Sequence, residues 1–259
     1  MGRFNSSTYR VTPLAEEIKA NPKSFQEFLN IVNNLADANL NFPCPSDAEC
    51  FCYGDHEKKL KPPKEHLIAI VKEQISAKKI KIPDKISEKR LELFGFRGEE
   101  KREKAIKTAL NLIEKNYDSG RSRAWYIFEG ESCPDLYIES EDSVILCEGK
   151  WTEGNITQKT TYLENRNQMV RHIQGALNYL KLKGAKKKLY AFYIVDKKCT
   201  YTSELETEKF KEHLAKESIA PENPCEIIDS YYGFTTWEGI AEKIKAIPFK
   251  SKKEIIEQG

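Results

Sequence analysis

The sequence predicts an α/β fold, a mixed sheet of four to five strands flanked by helices, preceded by a mainly helical N-terminal region. Two observations predict it. Apolar residues recur at helical spacing in long blocks before and between the strand-like runs. Two of those runs, 134–140 and 143–151, are so close that they form an antiparallel hairpin, whereas the next run is reached only through a helix. A meander followed by a crossover helix gives a mixed sheet covered on both faces.

In chain order, residues 13–40 read as helical, with Phe25, Phe28, Leu29, Val32 and Leu35 on one face. Residues 41–63 contain Pro43, Pro45, Pro62 and Pro63 and read as irregular; residues 64–79 form a second helix. A boundary is expected near 93–100, dividing a helical region, 1–98, from a second domain, 99–259. The second domain opens on a helix at 99–117, with Ile106, Leu110, Ile113 and Tyr117 as its stripe. Strands are expected at 124–130, 134–140 and 143–151, then a helix over 164–183 that stops at Gly184. A buried strand at 189–195, a helix at 204–217 and a short strand at 225–229 complete the order.

A chain of 259 residues with 39% hydrophobic and 32% charged residues has enough apolar material for a core and a polar surface, which excludes a disordered chain. No apolar run approaches the ~18 residues of a membrane helix. The N-terminus lacks the apolar stretch of a signal peptide, so the expected location is cytoplasmic and the cysteines are expected as thiols. With 42 basic and 40 acidic residues, the whole-molecule field does not draw the chain onto a polyanion. Any nucleic-acid contact must come from local Lys and Arg placement.

The hairpin carries the chemistry. Side chains alternate along a strand, so Glu148 and Lys150 share a face while Gly149 looks the other way. Asp135 begins the adjacent strand, where a tight hairpin places its carboxylate beside that of Glu148. Two carboxylates can hold a hard cation such as Mg²⁺ or Mn²⁺, with the Gly149 carbonyl as a further ligand. Such a cation polarises a phosphodiester and acidifies bound water, and the Lys150 ammonium orients that water and offsets charge on the phosphorane. Cys147, one residue from Glu148, is expected to face the core, which argues against a cysteine nucleophile paired with His172.

Pro134-Asp135 followed by Glu148-Gly149-Lys150 resembles the PD-(D/E)xK nuclease superfamily, and the resemblance covers roughly residues 99–200. It implies a restriction-endonuclease-like core and Mg²⁺-dependent endonuclease activity, with DNA the expected substrate and RNA left open. Family members act in restriction, repair and recombination, and defence or mobile elements. The resemblance also implies a Glu on the helix before the first strand, a place Glu114 fits, and a Gln on the helix after the Lys strand, a place Gln168 fits. Gln168 and His172 border the stripe of that helix, with Tyr179; the family pattern often has Tyr where His172 stands. His172 is grouped with Arg166 and Arg171 as candidate nucleic-acid contacts, with a structural border position as its alternative. Gln174 is expected on the exposed side. The Lys residues at the helix end can follow a phosphate backbone or complement the helix dipole.

Cys44, Cys50, Cys52 and His56 fall within a short segment and can in principle hold Zn²⁺, although the usual paired C-x2-C spacing is absent and thiols are the default reading. A homodimer is expected if the protein cuts both strands at one position. The alternative from another class is a non-cleaving nucleic-acid-binding or protein-interaction module on the same fold.

Overall fold

The structure is a computed structural model that describes residues 6–40, 46, 48–119 and 124–257. Among these residues lies one five-stranded sheet, in the spatial order of the chain: β1 (Cys50–Tyr53), β2 (Leu136–Glu139), β3 (Ser143–Gly149), β4 (Lys188–Val195) and β5 (Tyr231–Thr236). The β1–β2 and β2–β3 pairs are antiparallel; β3–β4 and β4–β5 are parallel. A mixed sheet with helices on its faces is therefore what the alternation of meander and crossover produces.

The two faces follow from side-chain alternation. Leu136, Ile138, Ile145, Cys147, Phe192 and Ile194 point to one core, closed by α1 (Thr12–Ala20), α2 (Pro22–Ala36) and α9 (Trp237–Lys243). Tyr137, Val144, Leu146, Ala191, Tyr193 and Val195 point to the other, closed by α6 (Gln168–Lys183), α7 (Thr207–Ala215) and α8 (Pro224–Asp229). A third core gathers α3 (Lys64–Ala69), the π-helical turn Ile70–Ile75, α4 (Glu88–Leu93) and α5 (Glu99–Asn116). All three cores draw side chains from both sides of residue 98, and β1 is an edge strand of the same sheet.

Several elements differ from the sequence reading. The expected helix 13–40 is two helices, because Asn21 turns out of helical geometry and its side chain caps α2 by accepting from the Lys23 and Ser24 amides. Residues 124–130 are not a strand. Tyr126 and Phe128 are buried in the helical core, and the carbonyls of Ala124, Trp125 and Ile127 accept from the Arg90 guanidinium rather than from a neighbouring strand. The third strand of the meander is instead β1, from the segment expected to be irregular. The expected strand 225–229 is α8, started by Pro224 in its first turn, and the strand follows it as β5. Gly233 takes a φ of 75° where the β4–β5 register slips by one residue, a bulge that only glycine enters readily.

Two local devices set the site. Asn167 caps α6 by accepting from the Met169 and Val170 amides, which fixes Gln168 as the first helical residue. The helix ends at Gly184, which adopts φ 65°, with the Ala185 amide bonded to the Leu180 carbonyl. Gly149 is required by packing. A Cβ there would come within 2.7 Å of Val11 Cγ2 and 2.9 Å of Trp237 Cζ2, so the strand end passes directly under the helical turn before α1 and the start of α9.

Candidate active site

β2 and β3 are in register at Leu136 and Cys147; Asp135 immediately precedes β2 and Glu148 follows Cys147 in β3, so the two come to neighbouring positions at this end of the hairpin. Glu148 projects from the α6 face, the face that carries Tyr137 and Leu146, while Asp135 Oδ2 lies beside Gly149, 3.3 Å from where a Cβ on that residue would stand. Glu148 is the last residue but one of β3 and Lys150 follows the strand, held to β4 by the bond from its amide to the Ile194 carbonyl, 2.8 Å. The Trp237 indole donates to the Lys150 carbonyl at 2.9 Å and so fixes the backbone on the far side of the sheet.

The side chains converge on one carboxylate. Glu148 Oε1 accepts from Lys150 Nζ at 3.0 Å and from Gln168 Nε2 at 2.7 Å. Lys150 Nζ also donates to Gln168 Oε1 at 2.9 Å, closing a triangle of Lys, Glu and Gln. Glu148 Oε2 lies 3.1 Å from His172 Nε2, one turn further along α6. An ionised carboxylate only accepts, so His172 carries its proton on Nε2 when it makes this bond. Asp135 Oδ2 accepts from the Gly149 amide at 2.8 Å.

The electrostatics separate the two acids. Burial pushes the Glu148 carboxyl up, but Lys150 and His172 outweigh it and hold the group below its ordinary range. Asp135 is pushed well above its ordinary value, first by burial and next by the charge of Glu148; the Gly149 amide and Lys150 oppose this only in part. Burial lowers Lys150, and Glu148 more than restores it, so the ammonium stays charged. One firmly ionised carboxylate beside one that resists ionisation is a site short of positive charge. A hard dication beside Asp135 would supply it, and a pair of carboxylates with an adjacent carbonyl is a suitable donor set. Asp135, Glu148 and the Gly149 carbonyl are oxygen donors of the kind a hard divalent cation takes, with both Glu148 oxygens at present accepting from Lys150, Gln168 and His172. Among the described residues no group of three or more His, Cys, Asp or Glu side chains is arranged to hold a metal.

The remaining expected site residues are not at this place. Glu114 is 54% exposed on α5 and pairs with Lys64 at 3.0 Å. Arg166 is 1% exposed: its guanidinium binds both Glu129 oxygens, at 2.7 and 2.6 Å, as well as Gln174 at 2.6 Å and Glu217 at 3.1 Å. A guanidinium with those partners holds the fold together and presents nothing to a phosphate. Gln174 is correspondingly buried, not exposed. Arg171 is partly accessible, 3.9 Å from Glu129. His172 is buried against Glu148, which makes it part of the carboxylate's environment and not a backbone contact. Tyr179 stands further along α6, its ring edge-on to Tyr137 and under the Lys58 ammonium.

Of the four residues considered for zinc, Cys50 and Cys52 lie side by side on β1 with sulfurs 3.1 Å apart, and His56 is exposed. Cys44 lies outside the described residues.

One acidic residue near the site has no counterpart in the sequence reading. Glu57 lies between two points where its segment pairs with the chain at and before the start of β2, Tyr53 with Leu136 and Leu60 with Ser132. Burial raises its carboxyl, and Glu148 is the charge that raises it most. The signal for it was the alternating C-F-C-Y run, which makes β1 an edge strand and carries Glu57 to this side of the sheet.

No protein-family model, curated protein or solved structure matches the chain.

Proposed function

We propose that the chain is a Mg²⁺-dependent nuclease of the restriction-endonuclease-like type, hydrolysing phosphodiester bonds, with DNA as the first substrate to test. The observation that carries this reading is the convergence of the Lys150 ammonium, the Glu148 carboxylate and the Gln168 amide within hydrogen-bond distance, with the Asp135 carboxylate bonded to the amide of Gly149 between Glu148 and Lys150. Asp135 and Glu148 would hold the cation, with the Gly149 carbonyl beside them. When bound, the cation polarises the phosphate and acidifies water. Lys150 orients the attacking water and offsets charge at the phosphorus in the transition state. Gln168 holds Lys150 and Glu148 in place relative to each other, and His172 keeps the second oxygen of Glu148 fixed.

A second reading, a non-cleaving nucleic-acid-binding module, is favoured by one observation: Glu148 is already met by three protein donors, on both its oxygens. In that case the cluster is a buried polar network and nothing more. Incubating the purified protein with plasmid, single-stranded DNA and RNA, each with Mg²⁺, Mn²⁺ or EDTA, separates the two. Cleavage that needs the metal and is lost in both Asp135→Ala and Lys150→Ala, with binding retained, is the expected result. Binding without cleavage under every metal condition leaves the second reading.

A further inference from the structure

The molecule has a cavity of about 400 Å³ with Lys150 in its wall, built otherwise from residues outside the proposed catalytic cluster. It opens where the parallel strands end: Lys150 follows β3, Asp196 follows β4 and Glu238 follows β5. The carboxyl end of parallel strands is where open α/β sheets bind their ligands. Arg10, Trp151, Lys198, Tyr201 and Lys252 complete the basic and aromatic part of its wall.

The wall has a division of labour. Its acidic side chains are engaged by backbone amides: Glu153 accepts from Trp151 N and Thr152 N, Asp196 from Lys198 N, and Glu238 from Lys197 N. They brace the loops after the strands. The Arg10 guanidinium lies 3.8 Å over the Trp151 ring and donates to the Tyr9 and Lys250 carbonyls, so this pair is also structural. Lys198 and Lys252, both exposed, and the half-buried Tyr201, whose hydroxyl meets the Cys199 thiol, complete the wall with Lys150; Lys198 and Tyr201 stand together on the loop that follows β4. A cation for a phosphate and an aromatic ring for a base are the two elements of single-strand recognition.

Size and depth limit what can enter. A space of about 400 Å³ is near the lower end of the ~300–1,000 Å³ range of small-molecule pockets, room for one nucleotide unit and not for a duplex. Glu148 is 4% exposed and Lys150 7%, so the cluster lies below the surface. A base-paired strand cannot reach a recessed centre without leaving its partner, whereas an unpaired strand can.

We infer that this cavity is a nucleotide-binding subsite and that the protein engages a single polynucleotide strand, seating the nucleotide next to the scissile phosphate between Lys198 and Tyr201. The inference rests on the nuclease reading for the position of the scissile phosphate, but the binding it describes needs no turnover.

The test is fluorescence anisotropy with the full chain in EDTA, using labelled octathymidylate, octauridylate and a blunt DNA duplex, together with metal-dependent cleavage assays on the same strands. Either single strand should bind at least tenfold more tightly than the duplex. Lys198→Ala, at an exposed position, should weaken single-strand binding severalfold and lower the salt slope by about 0.7, the value for one phosphate contact on a single strand. Tyr201→Leu should weaken it while Tyr201→Phe retains it. Duplex binding equal to single-strand binding overturns the inference, as does wild-type affinity and salt slope in Lys198→Ala, or no binding of either octamer. Tight single-strand binding without cleavage under any metal removes the nuclease reading and keeps the subsite; cleavage with equal affinity for duplex removes the subsite and keeps the nuclease.

Discussion

His172 Nε2 and Glu148 Oε2 lie 3.1 Å apart, between a helix and the end of a strand, and both groups are buried. His172 therefore acts on the site through Glu148. It is one of the two groups that hold the Glu148 carboxyl low against the effect of burial. Replacing it with Leu should raise the Glu148 pKa, and activity that needs ionised Glu148 should then fail at higher pH. The expected result is an acid limb of the pH–rate profile displaced upward by about 1 unit. His172→Gln, whose amide can donate to the same oxygen, should restore most of the displacement. An unmoved limb in His172→Leu would show that the contact has no part in the reaction.

Arg166 tests the difference between a basic stripe and a buried ion network. It holds Glu129 and Glu217 in the interior, with Gln174 beside them. Removing the guanidinium leaves carboxylates buried without a counter-charge, which costs about 3–5 kcal/mol. Arg166→Met should lower the urea midpoint accordingly, and the triple variant with Glu129→Gln and Glu217→Gln should recover much of the loss. Nucleic-acid affinity, measured where the variant is folded, should stay within about twofold of wild type, because Arg166 has no exposed atoms to offer a phosphate. A large loss of affinity with unchanged stability would return Arg166 to the binding surface.

The same network gives a pH dependence of stability with a definite sign. Burial raises Glu217 from 4.5 to about 7, despite Arg166 and the Asn167 amide. Between those values the folded chain holds a proton that the unfolded chain has released. Stability from this group is therefore full below about pH 4.5 and falls as pH rises towards about 7, with a slope of at most ~1.4 kcal/mol per pH unit. Glu129 is held far below its ordinary range by Arg166 and His66 against burial, so its contribution is lost only under more acidic conditions. Urea midpoints of wild type and Glu217→Gln between pH 5 and 8 should differ in slope, the wild type declining more steeply; parallel curves would refute the shift.

What the sequence could convey about the site was what lies along one strand pair. Period-two alternation sets Glu148 and Lys150 on one face without tertiary information, and a hairpin with only three intervening residues, Ser140 to Asp142, brings Asp135 to the same end of the strand pair. Gln168 was also legible, because the helical stripe places it at a border that the cap at Asn167 then fixes. Arg166 was not. A basic residue just before a helix looks the same whether it meets a phosphate or a buried Glu129 contributed from 37 positions away. Residues 124–130 misled for a related reason, since their strand-like composition serves a helical core and their carbonyls are satisfied by Arg90. Glu114 fitted a position implied by resemblance, yet the helix turns it outward to Lys64, while Glu57 approaches from the segment after β1, a strand that the proline-rich stretch concealed. Periodicity reports which side of an element is buried and stays silent on which distant side chain it is buried against.

Gln168 is the residue through which the helix reads the strand. Its amide donates to Glu148 Oε1 at 2.7 Å and its oxygen accepts from Lys150 Nζ at 2.9 Å, so one neutral side chain spans the acid and the base. It sits at the first position of α6, where the Asn167 cap leaves it little freedom. Removing it frees Lys150 and Glu148 to shift relative to each other while leaving Asp135 and Glu148 as cation ligands. Gln168→Ala should lower the single-turnover rate by about 10²–10³, the loss seen when one preorganised donor is removed, with little change in the Mg²⁺ concentration for half-maximal rate. Gln168→Glu is the sharper variant. It keeps the size but replaces the donating amide with a second anion against Glu148, so it should be slower than Gln168→Ala near neutral pH and improve as pH falls and one carboxyl takes a proton. If Gln168 only fills space at the helix start, Gln168→Glu and Gln168→Ala would both cut at the wild-type rate, and the positioning of Lys150 would have to be assigned to Glu148 alone.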